Sequence, residues 1–221
     1  MNVDILTASG LCCTREGMAI LQGIDIHIAK GDCVSIIGPS GSGKSTLLRL
    51  LADLTSPSDG QLLFKGQDYL DYQPELLRRE ISYVVQQPLL FGRTVADNVY
   101  FPYLVRGAKP EHERIRELLD ALRLTEDFLD KDVYSLSGGE RQRIALMRHL
   151  LFVPEVLLLD EITSALDEEN ARLIEQLIRS YNHEGVTVLW VTHDLQQSGG
   201  IFDRRLTIDK GRLVKEEVLK G

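Results

Sequence analysis

The chain has 221 residues, 43% hydrophobic and 26% charged, the balance expected of a soluble globular protein with room for one large domain or a core carrying an inserted subdomain. A formal charge of −8 argues against broad nucleic-acid affinity, so no nucleic-acid partner is expected. No apolar run approaches the roughly 18 residues needed to cross a bilayer, no basic segment leads into an apolar leader after Met1, and Cys12, Cys13 and Cys33 lack metal-ligand spacing, so a reduced, cytosolic setting is the simplest expectation.

Along the chain, residues 3–11 and 20–28 alternate enough to predict antiparallel strands. Residues 33–37 form a short apolar run, as in a strand buried on both faces. Residues 38–45 break it and 46–54 read as a helix, with further strands over 61–65 and 81–85. Pro110 opens a helix that places Ile115, Leu118, Leu119 and Leu122 on one face. Another helix follows Ser137. A second buried strand, 156–159, ends in Asp160-Glu161, helix 168–181 follows, 186–191 is a third buried strand, and 205–208 and 213–216 close the chain. Strands alternating with helices predict a parallel α/β core. The stretch 87–150 lacks such strands and reads as a helical insertion, leaving a core of 1–86 and 151–221 within a single domain.

Three motifs carry chemistry. Gly38-Pro39-Ser40-Gly41-Ser42-Gly43-Lys44-Ser45, followed by Thr46, fits the phosphate-loop pattern between a strand and a helix. Its glycines let backbone N–H groups turn around an anion and the helix N-terminus adds partial positive charge. Lys44 is expected to bridge the β- and γ-phosphates and Ser45 to offer its hydroxyl to Mg²⁺. Val156-Leu157-Leu158-Leu159-Asp160-Glu161 sets two carboxylates at a strand's C-terminal end, where ligands sit in open α/β sheets. Asp160 is the candidate Mg²⁺ residue and Glu161 the candidate general base for an attacking water. Leu136-Ser137-Gly138-Gly139-Glu140-Arg141-Gln142 fits a helix capping box, and a helix start with two glycines and a serine is also a second anion site.

In this order, the three motifs resemble those of ATP-binding-cassette (ABC) ATPases, and nearly the whole chain shares the resemblance. It implies a P-loop NTPase α/β core with a mixed, mainly parallel sheet, an antiparallel β subdomain and an inserted α-helical subdomain. It implies ATP and Mg²⁺ as ligands, and a homodimer formed on ATP binding, in which Ser137, Gly138, Gly139 and Glu140 of one copy cap the γ-phosphate held by the other. Gln86, after the strand 81–85, resembles the Q-loop glutamine that touches Mg²⁺ and water, with Gln87 the neighbouring candidate. Ser164-Ala165-Leu166-Asp167 resembles the D-loop at the dimer interface, although Asp167 also suits the N-cap of helix 168–181. His193 resembles the switch histidine at the γ-phosphate. The remaining histidines match no motif and read as surface or packing residues.

The resemblance also implies an integral-membrane permease subunit, a peripheral location at the cytoplasmic face of the cell membrane, and partner contacts near 87–107. Five of the fourteen aromatic residues, Tyr83, Phe91, Tyr100, Phe101 and Tyr103, fall between 83 and 103. Leu89, Leu90, Phe91 and Arg93 are the preferred partner contacts, with packing of the helical subdomain the alternative role. Two departures stand out. Cys12-Cys13-Thr14-Arg15-Glu16-Gly17 occupies the stretch where the family has an adenine-stacking aromatic, so Arg15 is the candidate to stack on the base. Ile162 stands where many members have proline. Within the family, Asp160-Glu161-Ile162-Thr163-Ser164-Ala165-Leu166-Asp167, Leu90-Phe91-Gly92 and Leu189-Trp190-Val191-Thr192-His193-Asp194 look most similar to ATPases of bacterial iron exporters (Fet-type). That likeness implies export of iron or another metal. The alternatives are the ATPase of another importer or exporter, a soluble non-transport ATPase, and a nucleotide sensor with little turnover.

Overall fold

The computed structural model describes residues 4–193 and 201–219; residues 1–3 and Asp194, which enter the sequence reading above, lie outside them. The described residues divide into two compact units. The first takes the chain up to Tyr83, Glu155–Glu161 and the residues from Tyr181 onward; the second takes Val84–Pro154 and Ile162–Ser180.

The first unit holds two sheets. Strands β1 (Asp4–Arg15) and β2 (Met18–Ala29) form a long antiparallel hairpin. Arg15 pairs with Met18 across a two-residue turn in which Glu16 and Gly17 both take positive φ, the turn geometry that matches strand twist. Ile24, Ile26 and Ile28 are buried while Asp25 and His27 between them are exposed, so a one-residue slip would put the isoleucines in water. With β4 (Asp59–Phe64) and the two-residue β5 (Gln67–Asp68) the sheet order is β2-β1-β4-β5.

The second sheet contains β3 (Cys33–Ile37), β6 (Ile81–Val84), β7 (Val156–Asp160), β8 (Thr187–Val191), β9 (Arg204–Asp209) and β10 (Arg212–Val218). Its order is β10-β9-β3-β8-β7-β6. The β9-β3, β3-β8 and β8-β7 pairs are parallel and β10-β9 is antiparallel, the mixed, mainly parallel sheet of the expectation. Every residue of β7 and β8 is buried, which explains their unbroken apolar sequences. Helix α1 (Lys44–Leu51) follows β3, starting two residues before the sequence reading put it because Gly43, with φ 105°, serves as its N-cap. Helix α2 (Pro74–Glu80), with proline at its first position, was not foreseen.

The second unit is helical. Helices α3 (Val95–Arg106), α4 (His112–Ala121) and α5 (Gly138–Leu150) bury Val95, Val99, Tyr103, Ile115, Leu118, Leu119, Ile144, Met147 and Leu150. Helix α3 carries Pro102 inside it, which hid the helix from pattern reading; a Thr94–Asp97 capping box starts it and Gly107 in the left-handed region ends it. Helix α6 (Glu168–His183) starts in this unit and ends in the first.

Candidate active site

In the first unit the ends of β3 and β7 carry the phosphate loop and the carboxylate pair. A Cβ on Gly38 would stand 1.9 Å from the Ile208 carbonyl oxygen, and one on Gly43 would stand 2.6 Å from the Leu21 side chain, so no larger residue fits either position as the backbone stands. Ser42 N–H donates to the Pro39 carbonyl (3.2 Å) and Gly211 N–H to the Ser42 carbonyl (3.0 Å), closing the loop and tying it to the turn after β9. Lys44 is buried, and its Nζ donates to the Gly38 and Pro39 carbonyls, each at 2.9 Å. Burial lowers its pKa, while the charges of Glu161 and Asp160 oppose that shift. The ammonium is thus held over its own loop, at the start of a helix whose first N–H groups have no intrahelical acceptors.

Two observations test the fit of a phosphate and its metal. Ser42 Oγ is buried within the loop without a hydrogen-bond partner among the described residues, a polar atom suited to an incoming anion. Ser45 Oγ donates to Asp160 Oδ1 at 3.0 Å, bringing a hydroxyl and a carboxylate together as the hard oxygen donors that Mg²⁺ prefers. Asp160 is 4% exposed, and its other oxygen, Oδ2, accepts from Tyr83 Oη at 2.8 Å. Burial and this bond push the Tyr83 phenol up to about 12.

Glu161 follows with φ 50°, in the left-handed region that side chains other than Gly, Asn and Asp rarely enter. Its N–H donates to the Val191 carbonyl (3.0 Å), anchoring the conformation to the end of β8. His193, two residues past β8, brings Nε2 to 2.7 Å from Glu161 Oε1. The structure therefore brings Lys44, Ser45, Asp160, Glu161 and His193 into one connected set within one unit. Arg15 lies on the exposed hairpin tip of β1 and β2, and Leu21, three residues past that tip, packs against Gly43 of the loop.

The second unit carries the remaining candidates. Ser137 caps α5: its Oγ accepts from Glu140 N–H (3.3 Å), while Glu140 Oε2 accepts from Ser137 N–H (2.7 Å). Ser137 and Gly138 are exposed, and the Ser137 hydrogen bonds hold the Glu140 carboxyl below its ordinary pKa. A Cβ on Gly139 would lie 3.4 Å from Leu166. Arg143 on α5 donates to Asn170 Oδ1 (2.7 Å), and Asn170 donates from its N–H and Nδ2 to the two carboxylate oxygens of Asp167 (2.8 and 2.7 Å). Asp167 thus caps α6 and is joined to the helix that begins at Ser137, a relay absent from the sequence reading. Gln86 is exposed, with Nε2 3.5 Å from Ser164 Oγ.

Leu89 is 83% exposed and Phe91 41%, whereas Tyr103 is buried and packs on Phe152, so the aromatic cluster divides between surface and core. Phe91, Tyr100, Phe101 and Leu104 line an apolar groove of about 610 Å³, with Phe91 edge-on to Phe101 at 4.8 Å. Tyr83, counted with these aromatics in the sequence, instead joins Asp160 and Ser45 in the first unit.

With this geometry in hand, comparison with known proteins identifies the chain. Residues 21–164 match the family model described as ABC transporter. Over 176 residues, 79% of this chain and 78% of the relative, it is 48% identical to the "Probable iron export ATP-binding protein FetA" of Escherichia coli (strain K12). It is 41% identical over 206 residues, 93% of this chain and 78% of the relative, to "ABC transporter I family member 17" of Arabidopsis thaliana. The fold matches the dimeric post-hydrolysis state of the ATP-binding cassette MJ0796 bound to ADP and Pi with a TM-score of 0.89 at 33% identity, over 98% of this chain and 99% of that one. Among the described residues no helix is long and apolar enough to cross a membrane. The chain belongs to the ABC transporter family and is an ATP-binding ATPase subunit of a transporter.

Proposed function

We propose that this subunit powers export of iron or another metal through a separate integral-membrane permease, from a peripheral position at the cytoplasmic face of the cell membrane. The metal assignment is supported by the relative named for iron export. The observation that carries the hydrolytic part is the Glu161–His193 pair, a carboxylate held by a strained backbone and bonded to a histidine at 2.7 Å.

In this reading residues 38–46 cradle the ATP phosphates. Lys44 exchanges its two loop carbonyls for phosphate oxygens and offsets the charge that develops there. Ser45 and Asp160 would hold Mg²⁺, which supplies charge neutralisation at the phosphates, and Gln86 is the family's Q-loop residue. Glu161 accepts a proton from the attacking water, and His193 orients its carboxylate and reaches the γ-phosphate. Arg15 stacks its guanidinium on the adenine.

Ser137, Gly138, Gly139 and Glu140 of a second copy cap the same nucleotide, and Asp167 lies at that interface. ATP binding therefore favours the closed homodimer and product loss releases it. The exposed Leu89, Phe91 and Arg93, with the half-buried Leu90, form the permease contact within 87–107.

The test is deletion of the chain in its native cell, followed by measurement of cellular iron, manganese and zinc, with the complex purified through a tag on this subunit. A co-purifying membrane protein and raised cellular iron are expected. Unchanged metal content with loss of an imported solute would replace export by import.

A further inference from the structure

Asp160 is held on both of its carboxylate oxygens. Ser45 Oγ donates to Oδ1 at 3.0 Å and Tyr83 Oη donates to Oδ2 at 2.8 Å. Rotation about either side-chain torsion of Asp160 would break one of these bonds, so together they select one carboxylate orientation. Arg49 follows Ser45 by one turn on α1, the spacing that puts two side chains on the same helix face, and its positive charge acts on the Tyr83 phenol. The Tyr83 ring packs against the first unit's core, so the hydroxyl is presented by a fixed side chain.

We propose that Tyr83 is a positioning residue for the metal-site carboxylate: by fixing Oδ2 it leaves Asp160 aimed, with Ser45, at the place Mg²⁺ takes beside the nucleotide. The proposal rests on the assignment of Asp160 to Mg²⁺ made above. Partners of this kind, which orient a ligand without touching the metal, typically carry a tenfold to hundredfold share of metal affinity.

The test is equilibrium binding of ATP to the full chain across free Mg²⁺ concentrations and in EDTA, for wild type, Tyr83→Phe, Asp160→Asn and the double variant. Tyr83→Phe removes one oxygen and keeps the ring in its packing. Its Mg²⁺ midpoint is expected to rise about tenfold, with ATP affinity in EDTA unchanged. In the Asp160→Asn background, Tyr83→Phe is expected to add nothing. A Tyr83→Phe midpoint equal to wild type, while Asp160→Asn shifts it, overturns the role of Tyr83 and leaves Asp160 in place. Equal loss of binding in EDTA overturns it in favour of a general structural effect. An unshifted midpoint in Asp160→Asn overturns both assignments.

Discussion

Glu161 holds its Oε1 2.7 Å from His193 Nε2 while its own backbone sits at φ 50°. An unfavourable backbone conformation persists where the surroundings over-determine it, and here the N–H bond to the Val191 carbonyl and the histidine contact do so. The strain aims a carboxylate from the end of a fully buried strand. Glu161→Gln keeps the shape and removes the proposed base. Turnover is expected to fall by about 10² or more, with ATP still bound and the dimer accumulating in saturating Mg-ATP. Size-exclusion chromatography with ATP checks this, and a monomer under those conditions would count against both the base and the sandwich.

Ser137 has a role in the fold, as a helix cap, and a proposed one at the nucleotide of a second copy, and the two separate experimentally. As the N-cap of α5 it accepts the Glu140 N–H, and Ser→Ala at such a position costs about 1 kcal/mol, whereas Ser→Gly costs only a few tenths. Ser137→Ala should therefore lower the urea midpoint and Ser137→Gly should largely preserve it. Both should impair ATP-driven dimerisation, because both remove the exposed hydroxyl. A Gly variant that dimerises normally would leave Ser137 as a cap only.

Phe91 lies in the apolar groove, edge-on to Phe101, with the Arg148 guanidinium 5.5 Å from its ring. Arg148 also donates to the Leu89 carbonyl and to Asn98 Oδ1, while Asn98 is bonded to both the N–H and the carbonyl of Phe91. The loop backbone is therefore held independently of the Phe91 side chain, and a carboxylate there would meet a cation. Phe91→Glu is expected to fold and bind ATP as wild type does while losing permease-stimulated ATPase. Normal assembly with the permease and normal transport would remove Phe91 from the contact.

The legible parts were those whose residues are contiguous. The phosphate loop, the Asp160-Glu161 pair and the Ser137–Glu140 capping box each lie within one turn or strand end, so local chemistry prescribes them. The Tyr83–Asp160 bond was not legible, because its residues are 77 apart and meet only when β6 lies beside β7. The Arg143–Asn170–Asp167 relay spans separate helices in the same way. Helix α3 was missed for a local reason: Pro102 reads as a breaker, yet its helix is fixed by a cap at each end and by the burial of Val95, Val99 and Tyr103. The positive φ of Glu161 had no sequence signal, since glutamate has no preference for that region.

His149, near the end of α5, gives the fold an acid sensitivity. Burial, with a further contribution from the neighbouring Arg148 charge, pushes its imidazole from 6.5 to about 4. The folded chain therefore binds fewer protons at this site than the unfolded chain between those values. Its contribution to stability is complete above pH 6.5 and is lost as pH falls toward about 4. His149→Gln removes the titration while keeping a polar side chain of similar reach. Urea midpoints measured at neutral pH and at about pH 5, inside the window set by the two pKa values, should fall less in the variant than in wild type. Parallel pH dependences would mean that His149 titrates in the folded chain as it does in the unfolded one.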